Sequence, residues 1–309
     1  MYRLLSNCRL LTATVAFALT SAAYASCGDK GIALQVLGSG GPELTAGRAS
    51  SSYLVWVDGK ARALVDMGGG AALRFGESGA LVGDLDIALF SHLHVDHSSD
   101  FPALIKASFF GDRKRELPVY GPPGNQVMPA TSAFVAGLFA EPGGVYRYLS
   151  AFMSDKGAYR ITANNVTLKD DEAREIAQNE RLKIFAARVI HGPIPALGFR
   201  VEAGGKSIVF SGDMNGEGAS FAQLAQGADI LVAHNAVPEG AEGVERKLHM
   251  PPSVIGQIAG SAKVGQLVLS HRMQRTLGKE AETLAAIKQH YRGKVSFADD
   301  MACYPLAGP

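Results

Sequence analysis

The stretch that most constrains this chain is Ser91-His92-Leu93-His94-Val95-Asp96-His97. Four side chains able to hold a cation fall within six residues, directly after the apolar run Ile87-Ala88-Leu89-Phe90, which predicts a buried strand. Extended backbone sends alternate side chains to one face, so His92 and His94 would point together with Cα atoms about 7 Å apart. A strand ending near His94 and a helix opening near His97 would bring Asp96 and His97 in from another direction. The turn would then offer two adjacent pockets of imidazole and carboxylate, suited to zinc or another divalent transition ion, one or two of them. Eight histidines occur in the chain and three of them stand in this heptapeptide. That concentration argues against the plainer reading, a polar strand end with surface histidines.

The chain opens with Arg3 and Arg9 flanking a short basic stretch, followed by small and apolar residues from Leu10 to Ala25 that end Ala23-Tyr24-Ala25. This pattern predicts a signal peptide over residues 1–25, leaving a mature domain of residues 26–309 in the periplasm or outside the cell. The apolar run is shorter than the ~20 residues a membrane span requires. Cys27 close behind leaves a lipoprotein signal open, although Tyr24 stands where such signals usually carry Leu. Of 30 basic residues the segment removes Arg3 and Arg9, and it removes no acid, so 28 face 29 acidic residues and the net charge becomes −1. With no basic excess, the expectation is no nucleic-acid partner and no anionic membrane surface. Cys27 and Cys303 remain after cleavage; an oxidising compartment would permit one disulfide, and the sequence leaves open whether their Cα atoms come within reach.

Further along, Ile32 to Leu37 predicts a strand broken by Gly38-Ser39-Gly40-Gly41-Pro42. Such a loop can cradle phosphate, but no Lys-Ser/Thr follows it, and a turn fits better. Ser52–Val57, Asp58-Gly59 and Ala61–Asp66 form a predicted hairpin. Phe101 to Phe110 reads as a helix. The aromatic-rich residues 134–159 read as short helices, either packed on a sheet or forming a lid with an apolar pocket for a leaving group. Residues 161–182 are polar and read as surface. Ser253 is placed to cap a helix running to about Lys263. Four apolar strands stop at or near His94, His191, Asp213 and His271, and open α/β sheets place their chemistry at the carboxyl ends of strands.

The string His92-x-His94-x-Asp96-His97, followed by His191, Asp213 and His271, resembles the metallo-β-lactamase fold superfamily, and most of all its RNase Z, arylsulfatase and phosphodiesterase branch. Leu37 to Pro42, Asp66-Met67-Gly68, Val119 to Gly124, the His249 segment and Ala298 to Met301 are similar to that branch in the same order. The resemblance implies an αββα sandwich, two mixed β-sheets flanked by helices, holding two zinc or other divalent ions. It implies one ion on His92, His94 and His191, a second on Asp96, His97 and His271, and Asp213 between them. The chemistry agrees: a carboxylate can span two cations and an imidazole cannot. Water between the ions would ionise near neutral pH, against about 15.7 in bulk, and become the nucleophile. Asp96 and His249 are the candidate catalytic residues, His249 as proton donor to the leaving group.

Two departures bear on substrate. His234-Asn235 stands where RNA-processing members carry His-Glu, and Met214 follows Asp213 where Thr is common. With predicted export and a net charge of −1, these point to a small-molecule phosphodiester or sulfate ester. A lactone, carboxylic ester or β-lactam substrate is the alternative, and a catalytically silent metal-binding scaffold a third reading. Members of the family are often homodimers, though no interface is legible in this sequence.

Overall fold

The computed structural model describes residues 27–44, 47–169 and 172–306; the predicted signal peptide lies outside the described residues. Among these, fourteen strands form two seven-stranded mixed sheets. The first contains β1 (Ile32–Gly38), β2 (Ser52–Val57), β3 (Lys60–Met67), β4 (Ile87–Leu89), β5 (Leu117–Gly121), β6 (Ile161–Asn165) and, at its other edge beside β1, β14 (Cys303–Leu306). The second runs from β7 (Ala173–Gln178) through β8 (Lys183–His191), β9 (Ile194–Ala203), β10 (Lys206–Phe210), β11 (Ile230–His234) and β12 (Gln266–Ser270) to β13 (Lys294–Phe297). In each sheet half the ladder is antiparallel, built from hairpins, and half is parallel. The expected hairpin forms, with Asp58 and Gly59 both at positive φ between β2 and β3.

Helices cover both outer faces: α1 (Ala71–Glu77), α2 (Val95–Ser98), α3 (Phe101–Ser108) and α4 (Thr131–Phe139) follow strands of the first sheet. Helices α5 (Ser220–Leu224), α6 (Gly243–Leu248), α7 (Pro252–Ser261) and α8 (Glu280–Lys288) belong to the second half. Apolar side chains sort accordingly. Leu34, Val55 and Val65 meet Phe199, Ile208 and Val232 between the sheets. Phe75, Phe101 and Phe139 pack outside the first sheet, and Phe221, Ile255 and Ile287 outside the second. This is the expected αββα sandwich. No helix among the described residues is long and apolar enough to cross a membrane.

Several expectations need correction. β4 ends at Leu89, so His92 and His94 lie on a loop and not on alternate positions of a strand. Residues 161–182 are not merely surface: they contain β6 and β7, the outer strands of the two sheets. An edge strand has only one neighbour and tolerates polar side chains, which hides it from an apolar-run search. The helix after Met250 is capped at Pro251, with Pro252 in its first turn, and not at Ser253. Phe134, Phe139, Leu149, Phe152 and Tyr159 pack against Phe90 and Phe101 in the outer core, which is helix-on-sheet packing and not a lid. Cys27 and Cys303 form a disulfide with Cα atoms 5.6 Å apart, joining the start of the described chain to β14.

Candidate metal centre

All seven predicted ligands converge at one end of the sandwich, where the parallel strands terminate. Their local backbone explains how. Phe90 N–H bonds Tyr120 O, after which Ser91 turns away and is held by Asp66, whose carboxylate accepts from both Ser91 N and Ser91 Oγ at 2.7 Å. Asp66 sits at φ +55°, the extra residue of a bulge between the Tyr53–Val65 and Ser52–Met67 pairs of β2 and β3. His94 then caps α2, which carries Asp96 and His97. Gly68 is required here, since a Cβ would lie 2.1 Å from Asp96 O. His191 closes β8, Asp213 follows β10, and His271, at φ +53°, follows β12. The glycine-rich loop after β1 serves this packing: a Cβ on Gly41 would meet the His271 ring at 2.7 Å.

The hydrogen bonds fix which ring nitrogens are free. Ser91 Oγ donates to Asp66 and therefore accepts from His92 Nδ1–H at 3.2 Å. His97 Nδ1–H donates to Asp66 Oδ2 at 2.8 Å, and His191 Nδ1–H donates to Leu248 O at 2.9 Å. Each of these rings then turns its Nε2 inward, the atom that would have to be free of its proton to hold a cation. All three point at a single atom: Asp213 Oδ2 lies 3.9 Å from His92 Nε2, 3.7 Å from His97 Nε2 and 3.7 Å from His191 Nε2. His94 Nδ1 lies 3.0 Å from His92 Nε2 and 3.4 Å from His191 Nε2. On the other side, His271 Nε2 lies 3.2 Å from Asp96 Oδ2 and 3.4 Å from Asp213 Oδ1. Nitrogens and oxygens at such separations suit a shared cation with bonds of about 2.0–2.2 Å.

Two further observations fit a metal. The buried atoms His97 Nε2, His249 Nδ1 and His271 Nδ1 have no hydrogen-bond partner in the protein, a costly state for polar atoms. His92, His94 and His191 form one group able to hold an ion; His97, Asp213, His234 and His271 form another; and His191, Asp213 and His249 a third. Electrostatics agree. Burial opposes ionisation of Asp213, yet His271 and His249 hold its carboxyl well below the ordinary range, and His97 does the same for Asp96. Burial and the neighbouring His97 push His92 far down, whereas Asp96 and Asp66 overcome burial and raise His97. The cluster thus holds two ionised carboxylates among imidazoles that compete for few protons, a field that attracts cations.

His249 caps the end of α6, with Nδ1 3.8 Å from Asp213 Oδ2, and burial lowers it to about 3. Asn235 does not orient it: the Asn235 amide is fully buried and neither of its polar atoms has a partner. Met214 faces the outer core beside Phe221 and not the site. Sequence reasoning gave no site role to Asp66 or Tyr53, and left His234 between a substrate contact and ordinary strand-end packing. His234 is buried with Nδ1 2.7 Å from Asp213 Oδ1. The paired Asp66-Met67-Gly68 signal could have led to Asp66, but Tyr53 carries no local signal. Beside His191 opens a cavity of about 280 Å³, lined by Pro123, Asn125, Arg188, Ile190 and Ile194 among others. His290 stands apart on the surface after α8.

A family model described as a beta-lactamase superfamily domain matches residues 63–272. The Ribonuclease Z of Mycolicibacterium paratuberculosis is 29% identical over 291 residues, spanning 87% of this chain and 96% of that protein. Among solved structures, human tRNase Z, short form, superposes with a TM-score of 0.68 at 20% identity, covering 89% of this chain and 99% of the other. The metallo-beta-lactamase fold protein YhfI from Bacillus subtilis gives 0.67 at 21% identity, covering 88% and 98%. These likenesses overturn the expectation of a small-molecule ester substrate and no nucleic acid, since relatives named for action on RNA match along nearly the whole chain. The physical error was to read partner choice from net charge. A whole-chain sum near zero says nothing of the sign at the cleft, where bound cations would dominate the local field.

Proposed function

Because this chain belongs to the beta-lactamase superfamily and is a metal-dependent hydrolase of the metallo-β-lactamase fold, we propose that it cleaves phosphodiester bonds of RNA with two zinc ions, outside the cytoplasm. The observation that carries this reading is the convergence of three imidazole Nε2 atoms on Asp213 Oδ2. His92, His94 and His191 would hold one ion, Asp96, His97 and His271 the other, and Asp213 would serve both. When bound, such ions polarise a phosphoryl oxygen and lower the pKa of attacking water.

The chain's own groups do the rest. Asp96 stays ionised and accepts the proton released as water attacks. His249, poised 3.8 Å from Asp213, donates to the departing oxygen. Its lowered affinity for protons keeps it neutral in the free protein; an approaching phosphate supplies the negative charge that favours its protonated form. The cavity beside His191 gives the nucleotide next to the scissile bond apolar walls and the Arg188 guanidinium. Export is supported by the signal-like opening and by the Cys27–Cys303 disulfide, a bond that oxidising compartments favour.

The test is cleavage of a labelled single-stranded RNA oligonucleotide by zinc-loaded protein, run beside bis-p-nitrophenyl phosphate, an aryl sulfate, a lactone and a cephalosporin. Cleavage of RNA and of the phosphodiester, abolished by chelation and by Asp213→Ala, is expected. Turnover of the lactone, the cephalosporin or the sulfate with intact RNA would overturn the reading.

A further inference from the structure

One buried polar chain near the site is not used by the chemistry above. Tyr53, the second residue of the first sheet's β2, is fully buried between the sheets, with its ring 5.5 Å from Phe210. Its hydroxyl crosses to the second sheet, lying 3.0 Å from His234 Nε2 at the end of β11 and 2.9 Å from Ser270 Oγ at the end of β12. His234 Nδ1 in turn lies 2.7 Å from Asp213 Oδ1.

The donors and acceptors can be assigned in order. Asp213 is ionised and only accepts, so His234 Nδ1 carries the proton and donates. His234 Nε2 is then a lone pair and accepts from the Tyr53 hydroxyl, which has one proton to give. The same hydroxyl proton is shared with Ser270 Oγ, which accepts from Tyr53 at 2.9 Å. Every polar atom of this chain is paired, at the interface of two sheets whose other facing side chains are apolar.

The consequence lies at Asp213. Its two oxygens have different surroundings: Oδ1 is fixed by His234, while Oδ2 faces the nitrogens of His92, His97, His191 and His249 at 3.7–3.9 Å. A carboxylate free to rotate would not keep Oδ2 there. We propose that Tyr53 is a positioning residue: by donating to His234 it sets that ring's tautomer and orientation, and through it the Asp213 carboxylate between the two metal positions. The inference rests on the metal reading given above. Outer hydrogen-bond partners of ligands typically change metal affinity by about 10–100-fold.

Metal-free protein titrated with zinc against a chromophoric chelator tests this without substrate. The full chain, Tyr53→Phe and Val55→Ala are compared, with thermal unfolding of each metal-free form. Tyr53→Phe keeps the ring against Phe210 and removes only the hydroxyl. Val55, on the same strand, lies in the apolar layer between the sheets and touches no polar atom of the chain. The expected result is two zinc ions on the parent, and about 10-fold or greater weakening of at least one in Tyr53→Phe. Val55→Ala should lower the unfolding temperature and leave both affinities unchanged. Parent-like zinc affinity in Tyr53→Phe would overturn the inference while leaving the metal reading intact. Equal weakening in Val55→Ala would also overturn it, by assigning the effect to general loosening. A parent that takes up no zinc would remove the metal reading itself, and this inference with it.

Discussion

Asp66 and His97 come from different elements 31 residues apart, yet the Asp66 carboxylate accepts the His97 Nδ1 proton at 2.8 Å while also holding Ser91 through two bonds of 2.7 Å. One buried carboxylate thus orients a ligand ring and anchors the turn that presents the rest of the histidine string. Asp66→Asn preserves the volume, weakens both bonds and lets the His97 ring turn. Zinc affinity at the His97 position should fall about 10–100-fold. Elemental analysis at limiting zinc would detect it as loss of one ion per chain; undiminished retention of both would refute this role.

Asn235 presents the opposite case, a fully buried amide with no partner on either atom. Burying such a group costs on the order of 1–3 kcal/mol. Asn235→Leu, close in volume, should therefore raise the unfolding free energy by about 1 kcal/mol. RNA cleavage should be unchanged in the same variant, since the buried amide touches no group of the site. Denaturant unfolding and RNA cleavage measured together check this. A variant that is less stable than the parent would contradict the accounting.

The disulfide between Cys27 and Cys303 closes a loop across 276 positions and ties the chain ahead of β1 to the edge strand β14. Cross-links of this kind stabilise by about 2–5 kcal/mol, chiefly by restricting the unfolded chain. The double variant Cys27→Ser/Cys303→Ser should lose that amount in denaturant unfolding and keep zinc uptake, because the bond lies away from the ligand cluster. Loss of zinc binding in a folded double variant would show the two to be coupled.

At the end of the sandwich opposite the histidines, Asp86 is buried against Arg115 and Arg181, whose side chains are 40% and 35% exposed. Burial opposes its ionisation, but the two guanidinium groups win and its pKa is lowered. A carboxyl with a folded pKa below its unfolded one stabilises the fold above about pH 4 and loses that contribution as pH falls through the lowered value. Asp86→Asn should cost about 1–2 kcal/mol at pH 7, discounted for the solvent around both arginines. The gap between variant and parent should close as pH falls below about 4 and through the lowered value. A gap that stays constant across that range would show that the carboxylate charge is not the cause.

Much of this protein was readable before any coordinates. The run Ile87–Phe90, and the strands that stop near Asp213 and His271, declared themselves because a strand buried on both faces needs apolar side chains at consecutive positions. The ligands were readable because metal chemistry admits few side-chain types, and His92, His94, Asp96 and His97 lie together in a histidine-poor chain. Those are properties of neighbouring residues, and a sequence records neighbours directly. The edge strands β6 and β7, the assignment of Asp66 to His97, the orphaned Asn235 and the reach of Tyr53 across the sandwich to His234 were decided only by the fold. Each depends on which sheet faces which, at what register and at what depth. Tyr53 and His234 are separated by 181 positions, and no periodicity along the chain encodes a hydrogen bond between strands of opposite sheets.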